Sequence, residues 1–445
     1  MRDARTAAIA VLLACLLAPG ISTSAAAADA AAELKAGMVL GPDTYQAAKD
    51  LLPPEILKHY QAGEYKNVIV DYPVGSSKWE PAWKDATEKN AGQLDVDDVG
   101  TIIFKGTGKQ PDYLYGFPFP TIDPNDPKAA VKVVWNQFLS YWSGGSSFND
   151  SRVVMLQPKG LDRDIHADGY FNFWDGQGEK YRKPNPNNLQ SQFLGVSTFP
   201  ADLQGTASLS WRYRDPSKRD SVWAFLPALR RVRAVSPANR SDGYLGSDIS
   251  GDDGFFFDGK PEDFEWKLIG QRDALRVVDP NTVKGDLKIP RAPGGGFSVL
   301  INDDNKPMVG FEDPNWTGLS WAPLPAGLAK RPVWIVEGTP KDRYYLYGKI
   351  QLWIDAETWD GSWNIKYSWQ GEVVHSYQTM ARINQQADNG EVMPASTTVW
   401  ACAENFKMNR ATLGGMRARP KAPFLRRPPI DPNLFDSQAL ARYGK

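Results

Sequence analysis

The feature that most constrains this chain is an alternation of apolar and polar residues that begins near residue 152 and continues through most of the remaining sequence. In one run Leu209, Trp211 and Tyr213 alternate with serine and arginine, and the run 350–354 repeats the pattern. A period of two places every second side chain on the same face of a β-strand. Short segments rich in Gly, Pro, Asp and Asn separate such runs, with few helical patterns between them. The pattern therefore predicts a mainly β protein built on a large antiparallel sheet.

One segment before these strands has the pattern of an amphipathic helix. Asp126 is its predicted N-cap and Pro127 its first helical residue, a position that proline suits because its missing N–H is not needed there. Apolar residues then follow at spacings of three and four, and Gly144-Gly145 ends the pattern. We expect this helix to cover one face of the sheet.

The first residues have the layout of an export signal. Arg2 and Arg5 are followed by the apolar run 7–17, which is too short to span a bilayer, and then by small residues over 22–30. We expect cleavage near Ala28, so that a signal peptide directs the protein to the periplasm. A lipoprotein signal is the alternative, because Leu-Leu-Ala before Cys15 partly fits a lipid-attachment site. Cleavage at Ala28 leaves Cys402 as the single cysteine, which excludes an intramolecular disulfide.

The chain divides into four predicted parts. Residues 1–28 form the signal peptide, and 29–150 form a helical and extended segment that packs on the sheet. Residues 151–405 form the antiparallel sheet domain, and 406–445 form a basic, proline-rich tail that we expect to lie extended on the surface. No other apolar run has the length of a membrane helix, so the mature protein is expected to be soluble.

Composition excludes several classes of protein. The 51 basic residues nearly balance the 52 acidic ones, whereas nucleic-acid binders usually carry a basic excess. The chain also contains 16 Trp, 17 Tyr and 19 Phe, far too many rings for a disordered protein. These counts favour a large folded protein with an unusual supply of aromatic side chains.

Motifs that carry catalysis are missing from the sequence. His59, His166 and His375 lie far apart, and no helix has the His spacing of a metal site. The sequence has no nucleophile elbow, phosphate-binding loop or dinucleotide fingerprint. Cys402 has no nearby basic residue to lower its pKa, so we interpret it as a small buried apolar residue. We therefore predict a protein that is not an enzyme and has no metal or cofactor.

A basic block is followed directly by an acidic one. Eight Arg and Lys residues lie within 212–240, and eight Asp and Glu residues lie within 242–265. The acidic block permits a calcium loop through Asp248, Ser250 and Asp252, although the positions of its expected glycine and closing acid do not fit. A carboxylate pair of a secreted hydrolase is a second possibility, drawn from the residues Asp248, Asp252, Asp253 and Asp258. We favour a third interpretation, in which the two blocks neutralise each other and fix a local arrangement.

Five segments carry a resemblance to a known family: 211–216 (WRYRDP), 222–233 (VWAFLPALRRVR), 240–248 (RSDGYLGSD), 333–337 (VWIVE) and 347–355 (YGKIQLWID). They resemble the secreted bacterial family called domain of unknown function 1329. They are similar, more distantly, to the outer-membrane lipoprotein-sorting (LolA/LolB-like) superfamily. This resemblance implies a curved, incompletely closed antiparallel half-barrel, covered by helices and loops around an apolar concavity. Relatives of this kind are associated with moving lipids or other hydrophobic molecules across the periplasm.

The resulting hypothesis is a periplasmic carrier for a hydrophobic, lipid-like ligand. Aromatic and aliphatic side chains on one strand face would line the cavity, because such pockets bind by burying apolar surface. The candidates are Leu209, Trp211, Tyr213, Trp223, Phe225, Trp266, Trp334, Ile350, Leu352 and Ile354. Leu209, Trp211 and Tyr213 are expected to share one face, and Trp223 and Phe225 another. The alternatives are the hydrolase and an accessory subunit that docks to an envelope transporter through its tail and basic stretch.

Three arginines are candidates for the rim of this cavity. Arg230, Arg231 and Arg233 lie in the basic block, in a segment that matches a recognisable motif of the superfamily. A guanidinium can hold a carboxylate or phosphate through two parallel hydrogen bonds. We therefore consider these arginines as structural or rim elements, with a possible contact to an anionic head group.

Overall fold

A computed structural model describes residues 33–283, 287–299, 307–383, 385–387, 396–417 and 424–444. The predicted signal peptide, with Cys15, lies outside the described residues. The helices are α1 (Pro54–Gln61), α2 (Pro81–Asn90) and α3 (Ala129–Trp142). The strands are β1 (Val39–Leu40), β2 (Asn67–Val70), β3 (Leu94–Val96), β4 (Ile102–Phe104), β5 (Ser147–Gln157), β6 (Gly160–Phe173), β7 (Leu189–Phe199), β8 (Ala207–Tyr213), β9 (Ser221–Leu226), β10 (Arg231–Val235), β11 (Phe264–Val278), β12 (Leu287–Ile289), β13 (Phe297–Ser298), β14 (Gly327–Pro340), β15 (Lys349–Asp355), β16 (Gly361–Tyr367), β17 (Val373–Ile383), β18 (Gln385–Ala387), β19 (Ser396–Asn405), β20 (Arg410–Arg417) and β21 (Phe424–Arg426).

One long antiparallel sheet dominates the molecule. Its strands pair in the order β10-β9-β8-β7-β6-β5-β20-β19-β17-β16-β15-β14-β11. At one end the sheet curves so strongly that Val278 of β11 meets Ala381 of β17. At the other end, among the described strands, β10 pairs with β9 alone, so the sheet does not close into a barrel. The prediction of a mainly β protein with a large curved antiparallel sheet is confirmed.

Helix α3 covers one face of the central strands. Its buried residues, among them Phe138, pack in one apolar cluster with Val336 of β14 and Leu352 of β15. The neighbouring residue Ile335 points to the opposite face, where it belongs to a second cluster with Ile56 of α1. Both faces of these strands are therefore covered, which explains why their sequences are apolar at almost every position.

The start of α3 differs from the prediction. The helix begins at Ala129, with Lys128 in the capping position, and not at Pro127. The Asp126 carboxylate accepts a 2.8 Å hydrogen bond from the Lys128 amide and forms an ion pair with Lys132. Asp126 therefore forms a turn before the helix and does not cap it directly.

The predicted tail also contributes to the sheet. Strand β20 pairs with β19 and β5, and β21 pairs with β5 and β13. Ala411, Leu413 and Phe424 are fully buried in the apolar cluster shared with α1. These burials hold the segment in the sheet despite its basic and proline-rich composition. Residues 418–423 of the predicted tail lie outside the described residues.

Candidate functional site

Strands β6 to β10 form an arm of the sheet whose two faces have different covers. Register places Leu194 of β7 opposite Leu209 of β8, which in turn lies opposite Trp223 of β9. Directly paired residues in a sheet point to the same face. These side chains therefore share one face, which we call the tail face. The alternate residues of the same strands point to the opposite face. We call this second face the helix face because it is turned toward α3.

The tail face is covered by the C-terminal segment, which we define as residues 430–443. The apolar side chains of the segment that pack on this face are Ile430, Leu434, Phe435, Leu440 and Tyr443. The indole Nε1 of Trp211 donates a 3.0 Å hydrogen bond to the carbonyl oxygen of Phe435. Four predicted cavity residues, Leu209, Trp211, Trp223 and Phe225, therefore lie together beneath this segment.

One sequence expectation about this arm is wrong. Leu209 and Trp211 were expected on a different face from Trp223 and Phe225. The strand register instead pairs Leu209 with Trp223 and Ala207 with Phe225. The alternation within each strand is as expected. The turn between β8 and β9, however, sets the register, that is, which residues of the two strands oppose each other. Alternation alone does not determine this register.

The helix face of the arm carries an aromatic cluster, which we define as Tyr141, Phe171, Phe193 and Phe255. The ring centroids of Phe171 and Phe193 lie 4.7 Å apart, and those of Phe171 and Phe255 lie 4.8 Å apart. The Tyr141 ring lies 4.0 Å from the Phe255 ring. All four side chains are partly exposed to solvent. The cluster is thus an apolar surface that the protein does not fully bury.

Two separate elements bring rings to this cluster. Tyr141 comes from the last turn of α3, where its ring also lies 5.1 Å from that of Phe173. Phe255 comes from the loop between β10 and β11, where its carbonyl oxygen accepts a 3.2 Å hydrogen bond from the Thr398 hydroxyl. The same loop is tied to β8 by an ion pair of 3.2 Å between Arg212 and Asp258.

Behind the aromatic cluster lies the guanidinium of Arg426. It is 5.8 Å from the Phe255 ring and 5.4 Å from the Phe424 ring, measured to the ring centroids. The side chain is 1% exposed, and this burial lowers the pKa of Arg426 to about 10. Its Nε lacks a hydrogen-bond partner, and the bond from its Nη1 to the Gly145 carbonyl is long, at 3.5 Å.

The remaining predicted cavity residues lie away from the arm face or at its base. Four of them, Trp334, Ile350, Leu352 and Ile354, are buried in the cluster beneath α3, and Trp266 packs at the edge of that cluster. Tyr213 is buried at the end of β8, with the Lys218 amine 3.4 Å from its ring centroid. The structure therefore brings together four of the ten candidates on the arm and packs five others around α3.

The three rim arginines lie at the far end of the arm. Arg230 occupies the turn between β9 and β10 in a left-handed conformation, with φ 50°, and Arg231 and Arg233 lie on β10. All three are exposed. They surround the tip of the hairpin and are not adjacent to the aromatic cluster in the strand register.

The acidic block is bound to basic partners. Arg240 contacts Asp220, Asp252 and Asp258, and Arg212 contacts Asp220 at 3.1 Å. The favoured interpretation, in which the two blocks neutralise each other and fix a local arrangement, agrees with these contacts, and most of the paired residues are buried.

The other acidic candidates are held in the same way. Asp248 pairs with Arg410 at 3.0 Å, and Asp253 pairs with Lys366 while its Oδ2 also accepts from the Ser250 amide. These ion pairs account for the carboxylates as parts of the fold, while burial raises the pKa of Asp258 above its usual value despite its arginine partners. Within the described residues, no group of three or more His, Cys, Asp or Glu side chains is arranged to hold a metal ion.

A groove of about 360 Å³ lies elsewhere, beside α1, and is lined by Glu55, Lys58, His59, Ala62, Glu64, Val373 and Phe406. Its His59 ring contacts Glu64 through Nδ1 at 2.7 Å and Glu404 through Nε2 at 3.0 Å. Burial alone lowers the pKa of His59, but the two carboxylates outweigh it and raise the pKa to about 9. A doubly paired imidazolium has no free lone pair, so it is unsuited to general-base chemistry.

The residues of the aromatic cluster, and Arg426, were missed by sequence reasoning. Phe171 and Phe193 lie on strands whose alternation is broken by polar residues, and Phe255 lies in the acidic block. Arg426 belongs to the predicted tail. The run Phe255-Phe256-Phe257 in an otherwise acidic and glycine-rich loop was the one available signal.

In the described part of the chain, the longest apolar helical stretch falls short of what a membrane crossing requires. A family described as "Protein of unknown function (DUF1329)" matches residues 42–441. Among curated proteins, no sequence matches this chain.

Three solved structures are similar to the chain. A domain named for outer-membrane lipoprotein sorting, from Vibrio parahaemolyticus, is 14% identical over 71% of this chain and 100% of its own, with a TM-score of 0.46. A DUF1329 family protein from Desulfovibrio piger is 16% identical over 72% and 99%, also with a TM-score of 0.46. A LolA superfamily protein from Nitrosomonas europaea is 12% identical over 69% and 97%, with a TM-score of 0.39.

Proposed function

Since the chain belongs to the DUF1329 family of proteins of unknown function, we propose its function from its own geometry. The protein binds a hydrophobic, lipid-like ligand on the helix face of the arm. It acts as a non-enzymatic carrier in the periplasm. The family match agrees with the resemblance that the sequence segments around Trp211 and Tyr347 carry. The periplasmic location rests on the signal-like segment 1–28.

The observation that carries the proposal is the partial exposure of the aromatic cluster. The Phe171 ring contacts those of Phe193 and Phe255, Tyr141 contacts Phe255, and all four residues are only half-buried. Contiguous exposed apolar surface is uncommon on a protein that has an ample core and often marks a binding site. Rings suit a binding surface because they provide large contact area at low cost in side-chain entropy.

A lipid chain gains enough on such a surface to be held. Burial of one methylene group contributes about 0.8 kcal/mol, so ten buried methylene groups contribute about 8 kcal/mol before the costs of association. The two small residues Gly169 and Gly195 lie on the same face as Phe171 and Phe193 and oppose each other in the register. A Cβ at Gly195 would lie 2.9 Å from the Phe193 ring, and one at Gly169 would lie 2.6 Å from the Asn149 amide oxygen, so the two glycines make room for these side chains to lie flat on the strands.

The acidic block supports a carrier over a hydrolase. Asp248, Asp252, Asp253 and Asp258 each form ion pairs with arginine or lysine. A glycoside hydrolase needs one carboxylic acid that is protonated near neutral pH and a second carboxylate facing the same substrate bond. The four carboxylates are instead engaged in holding the loop that carries Phe255.

The experiment is native mass spectrometry of the protein produced with its own signal in a Gram-negative host, followed by extraction of the bound material. The proposal expects a lipid-sized adduct, and a rise in the unfolding temperature when purified lipid is added to the stripped protein. In the double variant Phe171→Ser/Phe193→Ser the adduct should be lost.

Phe104→Ser is the matched control, because Phe104 is an exposed ring on β4, away from the arm. The control should keep the adduct. A wild-type protein that is always empty and gains no thermal stability from any lipid class would contradict the proposed function.

A further inference from the structure

Resting on the proposed function, we infer that the ligand carries an anionic group, a carboxylate or a phosphate, and that Arg426 binds this group at the inner end of the aromatic cluster. The hydrocarbon part then lies along Phe171 and Phe193, and the charge lies behind Phe255.

The first observation is the lack of a counter-ion. Arg276, Arg331 and Arg426 are the three arginines among the largest fully buried side chains of the described chain. Arg276 and Arg331 both pair with the Asp355 carboxylate, at 3.0 and 2.9 Å. Arg426 has no ion pair with any described residue. Within the described residues, two of these three guanidinium groups are therefore neutralised and the third has no counter-ion.

An unpaired buried charge is costly, because the guanidinium has lost its hydration without gaining an opposite charge. The carboxylate that acts on Arg426 from a longer distance is that of Asp360. It is already engaged, since the Ser140 hydroxyl donates to its Oδ1 at 3.3 Å and Arg276 lies 3.8 Å from its Oδ2. Ring contacts with Phe255 and Phe424 compensate for part of the cost. An anionic ligand would supply the missing charge.

The second observation is the position of Arg426 in the strand register. Arg426 of β21 lies opposite Ser147 of β5, and Ser147 lies opposite Phe171 of β6. The guanidinium, the hydroxyl and the ring therefore project from the same face of three adjacent strands. The Ser147 hydroxyl is fully buried and also lacks a hydrogen-bond partner. Two donors without an acceptor, the Nε of Arg426 and the hydroxyl of Ser147, thus belong to residues on the same face as the aromatic cluster.

We expect Phe255 to control access to these donors. Its ring lies 5.8 Å from the guanidinium of Arg426 and 4.0 Å from the partly exposed Tyr141 ring. Phe255 follows Gly254, which has φ 49° and so adopts a left-handed conformation that glycine adopts without strain. A rotation of the Phe255 side chain would open the path for the anionic group.

The experiment compares ligands with the same chain and different head groups on stripped wild-type protein: oleate, oleyl alcohol and oleyl phosphate. The inference expects both anions to bind at least about tenfold more tightly than the alcohol, equivalent to about 1.4 kcal/mol. A preference for one anion over the other identifies carboxylate or phosphate as the natural head group. If all three ligands bind equally, the inference is overturned and the proposed function stands. If none binds, the proposed function itself fails.

The variant Arg426→Gln then assigns the preference to this residue. Its affinity for oleate should fall to that for oleyl alcohol, while its affinity for the alcohol stays close to that of the wild type. Arg343→Gln, which removes an exposed arginine in the loop between β14 and β15, is the control and should leave the preference intact. If Arg426→Gln does not fold, the variant Arg426→Lys, which keeps the charge, is used instead. Its preference for anions over the alcohol should be weaker than that of the wild type. A preference that survives unchanged in a folded Arg426 variant overturns the assignment.

Discussion

The indole of Trp211 on β8 donates a hydrogen bond to the carbonyl oxygen of Phe435, 224 residues later in the chain. This bond fixes the C-terminal segment to the tail face of the arm. Phe435 and Leu440 are fully buried there, against Leu209 and Phe225. The arm therefore depends on a segment that is remote in sequence, while its helix face stays partly exposed.

Truncation of the chain after Pro429 should destabilise the arm and leave the central sheet folded. The loss of Phe435 and Leu440 removes two buried apolar side chains, each worth about 2 kcal/mol. Hydrogen exchange of the β8 and β9 amides should become faster, with little change in β14 and β15, and a dye that binds apolar surface should bind to the exposed tail face.

The variant Trp211→Phe is the mild counterpart, because it keeps a ring and removes the hydrogen bond to Phe435. The substitution should lower the free energy of unfolding by about 1 kcal/mol.

For the truncated chain, unchanged hydrogen exchange of the β8 and β9 amides would show that the C-terminal segment does not stabilise the arm.

The stability of the protein should fall in alkaline solution because of His59. The pKa of His59 is raised from its ordinary value of 6.5 to about 9, since Glu404 and Glu64 outweigh the effect of burial. A group whose pKa is raised on folding contributes its full stability below the unfolded pKa and loses it as the pH rises through the folded one. The free energy of unfolding should therefore decrease by up to about 3 kcal/mol between pH 6.5 and pH 9. Urea unfolding at a series of pH values measures this.

The control for this pH dependence is His59→Gln, which keeps hydrogen-bonding capacity and removes the titration. Its stability should be lower at pH 6 and nearly flat across the same range. A wild-type profile that is equally flat would exclude the two ion pairs of His59 as the cause.

Asp355→Asn should be among the most destabilising single substitutions in the chain. The Asp355 carboxylate is the shared partner of two fully buried arginines, Arg276 and Arg331. Its pKa is lowered well below the ordinary value by these arginines, despite its burial. Breaking a buried ion pair costs about 3–5 kcal/mol, because the partner charge remains buried. Thermal unfolding measures the loss of stability. The control is Asp273→Asn, which removes an exposed ion pair with Lys330 and should lower the free energy of unfolding by less than about 1 kcal/mol.

The acidic block should prove structural when its members are neutralised. Asp253→Asn removes the partner of the buried Lys366 and should lower the unfolding free energy by about 3 kcal/mol or more. The measurement is chemical unfolding together with a screen for polysaccharide and lipid hydrolysis by the wild type. Turnover that is present in the wild type and lost in a fully folded Asp253→Asn protein would favour the hydrolase instead.

The strands could be predicted from the sequence because alternation is a local property. The run from Leu209 to Tyr213 and the run from Ile350 to Ile354 are both strands, and α3 follows from its apolar spacing. Which residues oppose each other depends on turn geometry, so the common face of Leu209 and Trp223 was not predictable from alternation alone.

The candidate site was less predictable because it combines residues from distant elements. Tyr141, Phe171, Phe255 and Arg426 come from a helix, a strand, an acidic loop and a proline-rich stretch. None of them lies in an unusual local pattern except Phe255. The unpaired state of Arg426 is a property of the surrounding fold, since neighbouring basic residues in the sequence do not show which of them has a counter-ion.

The most direct test of the account is photo-crosslinking with a fatty acid that carries a diazirine in its chain, followed by mapping of the labelled peptides. The account predicts that the label falls on peptides containing Phe171, Phe193 or Phe255, and that excess oleate suppresses it. Label that concentrates in the groove beside His59, or label that oleate does not displace, would contradict the claim that the helix face of the arm binds the ligand.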